Sequence, residues 1–162
     1  MHPDVLPAVE ERNQLAAELA SLIRTAAQEA WSLPSGYPGW SCHDLLAHLA
    51  TGDWLMQRRV RDALAGRDLA ATMHGVDLDS ENARLVTAAR SHTPAELLAQ
   101  THAQQNRSLA LWELLDERHL MQIMPHWDGG YCTLLEYLLA FPGHDREHIA
   151  QLRAALSRPN PA

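Results

Sequence analysis

Gly143-His144-Asp145-Arg146-Glu147-His148-Ile149-Ala150-Gln151-Leu152 is the stretch on which the reading of this chain turns. Its pattern predicts helix. His144 and His148 stand four apart, so on a helix both imidazoles leave one face, about 5–6 Å apart at Cβ. That separation suits two ligands of one divalent ion at a Zn–N distance of ~2.0–2.1 Å. A third ligand is needed, and His48, in Asp44-Leu45-Leu46-Ala47-His48-Leu49, is the candidate. Leu45, His48, Leu49, Gly52 and Leu55 recur at helical spacing, which turns His48 toward an apolar face. A buried imidazole needs partners for its nitrogens; a metal is one and a neighbouring carbonyl is another. In a chain with 10 histidines an HxxxH also arises by accident, and alone it is a weak signal.

The helix that carries the pair starts at Thr133, with Leu134, Leu135, Tyr137, Leu138 and Phe141 apolar. Pro142 falls in mid-pattern and predicts a kink or a short break, which would re-aim the pair. Leu152 and Leu156 extend the helix, and Pro159 ends it. Residues 118–131 hold Pro125, Gly129 and Gly130 and predict a loop, with His126-Trp127-Asp128 inside it. Before it, Thr93-Pro94-Ala95-Glu96 is an N-cap, an N1 proline and an N3 glutamate, a capping box opening a helix to about Glu117. His102 near its apolar stripe is a reserve ligand.

His48 lies on a helix that opens at Ser41, with Asp44 at N3, and runs to about Leu64. Gly52, one turn past His48, leaves room for a close approach. Residues 66–91 are the least regular part of the chain, with Met73-His74-Gly75 and a short helical pattern over 80–90. That length suits a crossover along a bundle or a segment over a site. Asn82 could line a pocket, but solvent is its expected place. At the N-terminal end, residues 4–31 predict one long amphipathic helix, broken by Pro34, Gly36, Pro38 and Gly39. Trp31, Tyr37 and Trp40 around that break are expected to pack in core and loop rather than serve a ligand.

Four principal helices and one long connection imply an all-α four-helix bundle, with residues 1–162 as a single domain. The net charge of −7, with 13 arginines and no lysine, argues against nucleic acid and against an anionic membrane surface. No apolar run approaches the ~20 residues of a membrane span, and no secretion signal is expected at the N-terminus. Two cysteines, Cys42 and Cys132, make no disulfide framework, so reduced thiols and a cytoplasmic setting are expected. Both are expected as small core or loop residues rather than nucleophiles.

Three groups of residues together resemble the DinB-like superfamily, with its YfiT-type metal-dependent hydrolases and bacterial low-molecular-weight thiol transferases. They are Trp40-Ser41 leading into Asp44-Leu45-Leu46-Ala47-His48-Leu49, Asp79 to Asn82 before Thr93-Pro94-Ala95-Glu96-Leu97-Leu98, and Gly143 through Gln151. The resemblance implies a DinB-like bundle with one long crossover and a three-histidine site at His48, His144 and His148. It also implies zinc or nickel and frequent homodimers. In the mycothiol-dependent maleylpyruvate isomerase type the first of the last two ligands is a glutamate. His144 stands there in this chain, which resembles the three-histidine branch instead.

Three protein ligands leave a position open for water or substrate. Activated water gives hydrolysis, and an activated low-molecular-weight thiol gives transfer to an electrophile, in stress or detoxification. No catalytic side chain is assigned. A carboxylate should orient each imidazole. Asp44 is one turn from His48, whereas Asp145 and Glu147 should leave the helix at other angles, toward solvent or Arg146. Two further readings stay open: a non-catalytic metal- or ligand-binding stress protein of the same fold, and a bundle whose histidines only hydrogen-bond in the core.

Overall fold

The computed structural model describes residues 1–71, 76–126 and 129–157. Met73-His74-Gly75, Trp127-Asp128 and Pro159 lie outside them. Among the described residues seven α-helices and one hairpin follow in order: α1 (Leu6–Thr25), α2 (Cys42–Thr51), α3 (Asp53–Leu64), α4 (Leu78–Ala89), α5 (Pro94–Trp112), α6 (Glu117–Leu120), β1 (Ile123–Pro125), β2 (Tyr131–Thr133) and α7 (Leu134–Leu156). The bundle is made by α1, the α2–α3 pair, α5 and α7. In it α1 packs on α5 and α7, while α2 packs on α5 and α7. The crossover carries α4, which lies against α2.

The predicted starts of α2, α5 and α7 are each fixed by a capping box. Ser41, Thr93 and Thr133 accept from the amides of Asp44, Glu96 and Glu136, whose carboxylates accept in return from the cap amides. Each box satisfies amides that have no partner inside the helix.

Five boundaries differ from expectation. The helix expected to run from Ser41 to about Leu64 is interrupted at Gly52, which separates α2 from α3. The first helix stops at Thr25, and a 3-10 turn over Gln28–Ser32 follows. No breaker marks that end; the turn swings Trp31 into the core, where it is 4% exposed. The expected loop at 118–131 instead holds α6 and an antiparallel hairpin pairing Ile123 with Thr133 and Pro125 with Tyr131. Its strands have three residues each, too few for an alternation to show. The helix from Pro94 ends at Trp112, and Asp116 then caps α6. Finally, α7 runs through Pro142 without a break. A helical proline costs ~3 kcal/mol. Burial of Leu138, Phe141, Ile149 and Leu152 on the same helix opposes that cost.

The core has two apolar clusters. One gathers Leu15 and Leu19 of α1, Leu45 and Leu46 of α2, Leu97 of α5 and Leu152 of α7. The other gathers Val5, Met56 and Val60 of α3, Trp112 of α5 and Leu134 and Leu138 of α7. Each bundle helix also buries a polar residue: Arg12 of α1, His48 of α2, Asp53 of α3, Ser108 of α5 and His148 of α7. Arg12 Nη2 donates to both oxygens of Asp53 (2.7 and 2.8 Å), and Ser108 Oγ donates to the same carboxylate. Arg12 Nε also lies 3.9 Å from Asp145, the neighbour of His144, so a polar layer joins this group to the histidine pair.

Candidate metal centre

His48 comes from α2, and His144 and His148 from successive turns of α7. The three meet. The ring centroids are 5.1 Å apart from His48 to either partner and 4.5 Å between His144 and His148. His48 Nε2 lies 3.0 Å from His144 Nε2. One ligand nitrogen from each ring lies within 4.8 Å of the other two. Nitrogens on one tetrahedral ion at ~2.0–2.1 Å are ~3.3–3.4 Å apart, so closing on it asks for about 1.5 Å of approach at most, shared between two side chains.

The outer nitrogens decide what the rings present inward. His144 Nδ1 faces Asp145 Oδ1 at 3.1 Å. His148 Nδ1 faces Gln151 Oε1 at 3.0 Å, and the Gln151 amide is oriented by donating Nε2 to Glu147. Both partners are acceptors, so each Nδ1 carries the proton and each Nε2 keeps its lone pair. His48 Nδ1 is buried and has no partner among the described residues. Burial, then the charges of His144 and His148, push His48 down to about 3. Burial also lowers His148, against the pull of its bond to Gln151. Near neutral pH these two rings are therefore uncharged, the form that binds a cation. The donor set fits a divalent transition ion.

Two cavities reach the cluster. One of about 420 Å³ is lined by Trp54, Leu55, Leu78, Tyr137, Ala140 and Phe141, with His48 and His144 in its wall. The other, about 410 Å³, is lined by Tyr37, Trp40, Asp79 and Ala83 with all three histidines. Asn82 of α4 borders both and accepts from Trp54 Nε1 at 3.4 Å. Gly52 lines the first cavity, and a Cβ there would meet His48 O at 3.1 Å and His144 Cε1 at 3.8 Å. Burial pushes Tyr137 up to about 12, so its hydroxyl stays protonated at neutral pH.

The family profile described as mycothiol maleylpyruvate isomerase N-terminal domain matches residues 12–137. This chain belongs to that family. The match takes in His48 and stops before His144 and His148. Among solved structures, YfiT from Bacillus subtilis is described as a probable metal-dependent hydrolase with an unusual four-helix bundle topology. It aligns at a TM-score of 0.77 and 18% identity, over 96% of this chain and 87% of that one. The mycothiol-dependent maleylpyruvate isomerase aligns at 0.74 and 13% identity, over 94% of this chain and 63% of the isomerase. This chain therefore spans less than two thirds of the isomerase's length. At these identities the likeness shows the fold, and with the family match it sets the chain in the DinB-like superfamily. No curated protein sequence matches. Among the described residues no helix is long and apolar enough to cross a membrane.

Several expectations about neighbours change. Asp44 does not turn to His48; it closes the Ser41 cap and pairs with Arg90 at 2.8 Å. The orienting carboxylate is Asp145, which reaches back to its own neighbour, and Arg146 pairs with Glu11 instead. Tyr37 and Trp40 are site residues: Trp40 lies 5.1 Å from His48 and Tyr37 6.1 Å from His148, centroid to centroid. Asn82 lines the cavities rather than pointing to solvent. Gln151 and Trp54 carried no signal in the sequence that marked them. His102 is exposed and takes no part in the cluster. Cys42 is buried in the core, and Cys132 stands in β2.

Proposed function

We propose that this chain is a metal-dependent enzyme. His48, His144 and His148 hold one divalent transition ion, and the reaction joins a low-molecular-weight thiol to a small electrophile. The observation that carries this reading is the convergence of three imidazoles on a point where two cavities meet. Two cavities give a thiol and an electrophile separate space beside one centre, and bringing reactants together in that way supplies much of the rate.

A bound divalent ion supplies Lewis acidity toward a thiol or a water. The chain's own residues do the rest. Asp145 and Gln151 hold the Nδ1 protons of His144 and His148, which keeps their Nε2 lone pairs turned to the ion. Trp40, Trp54 and Phe141 provide apolar walls that limit water at the centre. Three nitrogens suit zinc, nickel, copper or iron alike, and the family resemblance favours zinc or nickel. His144 is only half-buried and faces both cavities, which argues against a closed structural site.

Hydrolysis is the second reading, and the YfiT likeness over nearly the whole chain favours it. A cytoplasmic homodimer of one domain, acting on small molecules and not on nucleic acid, completes the proposal. The test is an assay of zinc- or nickel-loaded protein with 1-chloro-2,4-dinitrobenzene and a panel of thiols. In transfer the S–C bond forms, chloride leaves and the thiol proton goes to solvent. Thiol-dependent turnover above the uncatalysed rate, lost in His148→Ala, is expected. Turnover of ester or amide substrates without a thiol would move the assignment to hydrolysis.

A further inference from the structure

A permanent positive charge is what the two cavities lack among the described residues. The chain has no lysine, so every permanent cation is an arginine. Among the described residues no arginine lines either cavity. Arginines on α1, α4 and α7 and the one that follows α4 pair elsewhere: Arg12 with Asp53, Arg84 with Glu81, Arg146 with Glu11 and Arg90 with Asp44. Arg12 lies 5.2 Å over the ring of Phe141, a cavity residue, but its charge is met by Asp53. The ionisable groups that do line the cavities, besides the histidines, are Glu147 and Tyr137 in the first, the latter held neutral, and Asp79 and Tyr37 in the second. The remaining wall of the first is mainly apolar, with Leu55, Leu78 and Ala140 beside the rings of Trp54 and Phe141, and Asn82 as its polar residue.

A carboxylate on the bound molecule, away from the reacting atom, would therefore leave water for an apolar wall with no cation to meet it and a like charge at the rim. Both effects oppose binding. An ion held by the histidines would sit beside the reacting atom, and its attraction for a charge at the far end of the cavity would be weakened by distance.

We propose that the cavity beside the histidine cluster selects molecules that carry an apolar group of benzene-ring size and no negative charge remote from the reacting atom. An amine at the far end is accepted, since Glu147 meets it, and a carboxylate is rejected. This deepens the functional reading above and rests on these cavities being its substrate site.

Three thiols test it at pH 7: phenylmethanethiol, its 4-aminomethyl derivative and 4-(mercaptomethyl)benzoic acid. Binding is read in two ways. In cobalt-loaded protein the signal is a sulfur-to-cobalt charge-transfer band; in metal-free protein it is quenching of tryptophan fluorescence, to which Trp54 and Trp40 in the cavity walls contribute. The neutral thiol and the amine are expected to bind, and the acid to bind at least about tenfold more weakly. Asn82→Arg, which sets a cation between the cavities, is expected to narrow that gap. An acid that binds within about threefold of the neutral thiol in wild type overturns the proposal, as does a ring thiol that binds in neither form. If cobalt is not taken up, the metal reading fails, and the quenching series on metal-free protein still decides the charge rule.

Discussion

Asp145 Oδ1 lies 3.1 Å from His144 Nδ1, on the opposite side of the ring from the Nε2 that meets His48. The same carboxylate has its other oxygen 3.9 Å from Arg12 Nε, inside the polar layer. One side chain thus ties the candidate ligand to the buried Arg12–Asp53 pair. Asp145→Asn keeps the shape but removes the charge, leaving Nδ1 at best a neutral amide oxygen to donate to. Zinc affinity is expected to fall about 10–100-fold, with the fold retained. Competition against a chromophoric chelator measures it; unchanged affinity would mean that Asp145 does not hold the ring.

The buried rings make metal-free stability depend on pH. His48 titrates at about 3 in the folded chain, pushed down by burial and then by its two neighbours. Burial lowers His148 as well. Unfolded, both take up protons near 6.5. Between those values the unfolded state binds more protons, so stability falls as pH drops from about 6.5 toward 3. Urea midpoints of metal-free protein should therefore be lower at pH 5 than at pH 7.5, and His48→Leu should flatten the difference. A wild-type midpoint that does not move would contradict this.

Arg12 and Asp53 are 5% and 4% exposed, and each is the other's main partner. Arg12→Met strands a buried carboxylate and is expected to destabilise the protein by about 3–5 kcal/mol. Arg12→Met combined with Asp53→Leu removes the stranded charge and should recover much of that loss. Urea unfolding checks both; a single variant costing under ~1 kcal/mol would show that the pair is not coupled as drawn.

Thr133 caps the helix that bears His144 and His148, at a distance from the cluster. Thr133→Ala should cost about 1 kcal/mol of stability. Zinc affinity should stay at the wild-type value, which separates loss of helix stability from loss of a ligand.

The bundle and the three histidines were legible because both depend on helical period. His144 and His148 share a face by spacing alone, and Leu45 and Leu49 turn His48 inward with them. The caps at Ser41, Thr93 and Thr133 are local chemistry and appear where the sequence has them. Tyr37 and Trp40 were not legible. They reach the histidines through a turn in which Gly36 and Gly39 take φ of +92° and +79° and the Pro34–Ser41 bridge closes the loop. No periodicity encodes such a path. Asp145 was misjudged for a related reason: neighbours in a helix leave it about 100° apart, yet a carboxylate can fold back onto the ring beside it. The uninterrupted α7 shows packing overriding a local breaker at Pro142.

The measurement that bears most directly on the central claim is metal content. Protein purified without a metal-affinity tag is analysed by elemental mass spectrometry beside His48→Ala and His148→Ala. The account predicts about one equivalent of a divalent transition metal per chain, lost in both variants while their helical circular dichroism persists. A wild type that carries none and takes up neither zinc nor nickel would contradict it, and the three imidazoles would then be core residues that hydrogen-bond to one another.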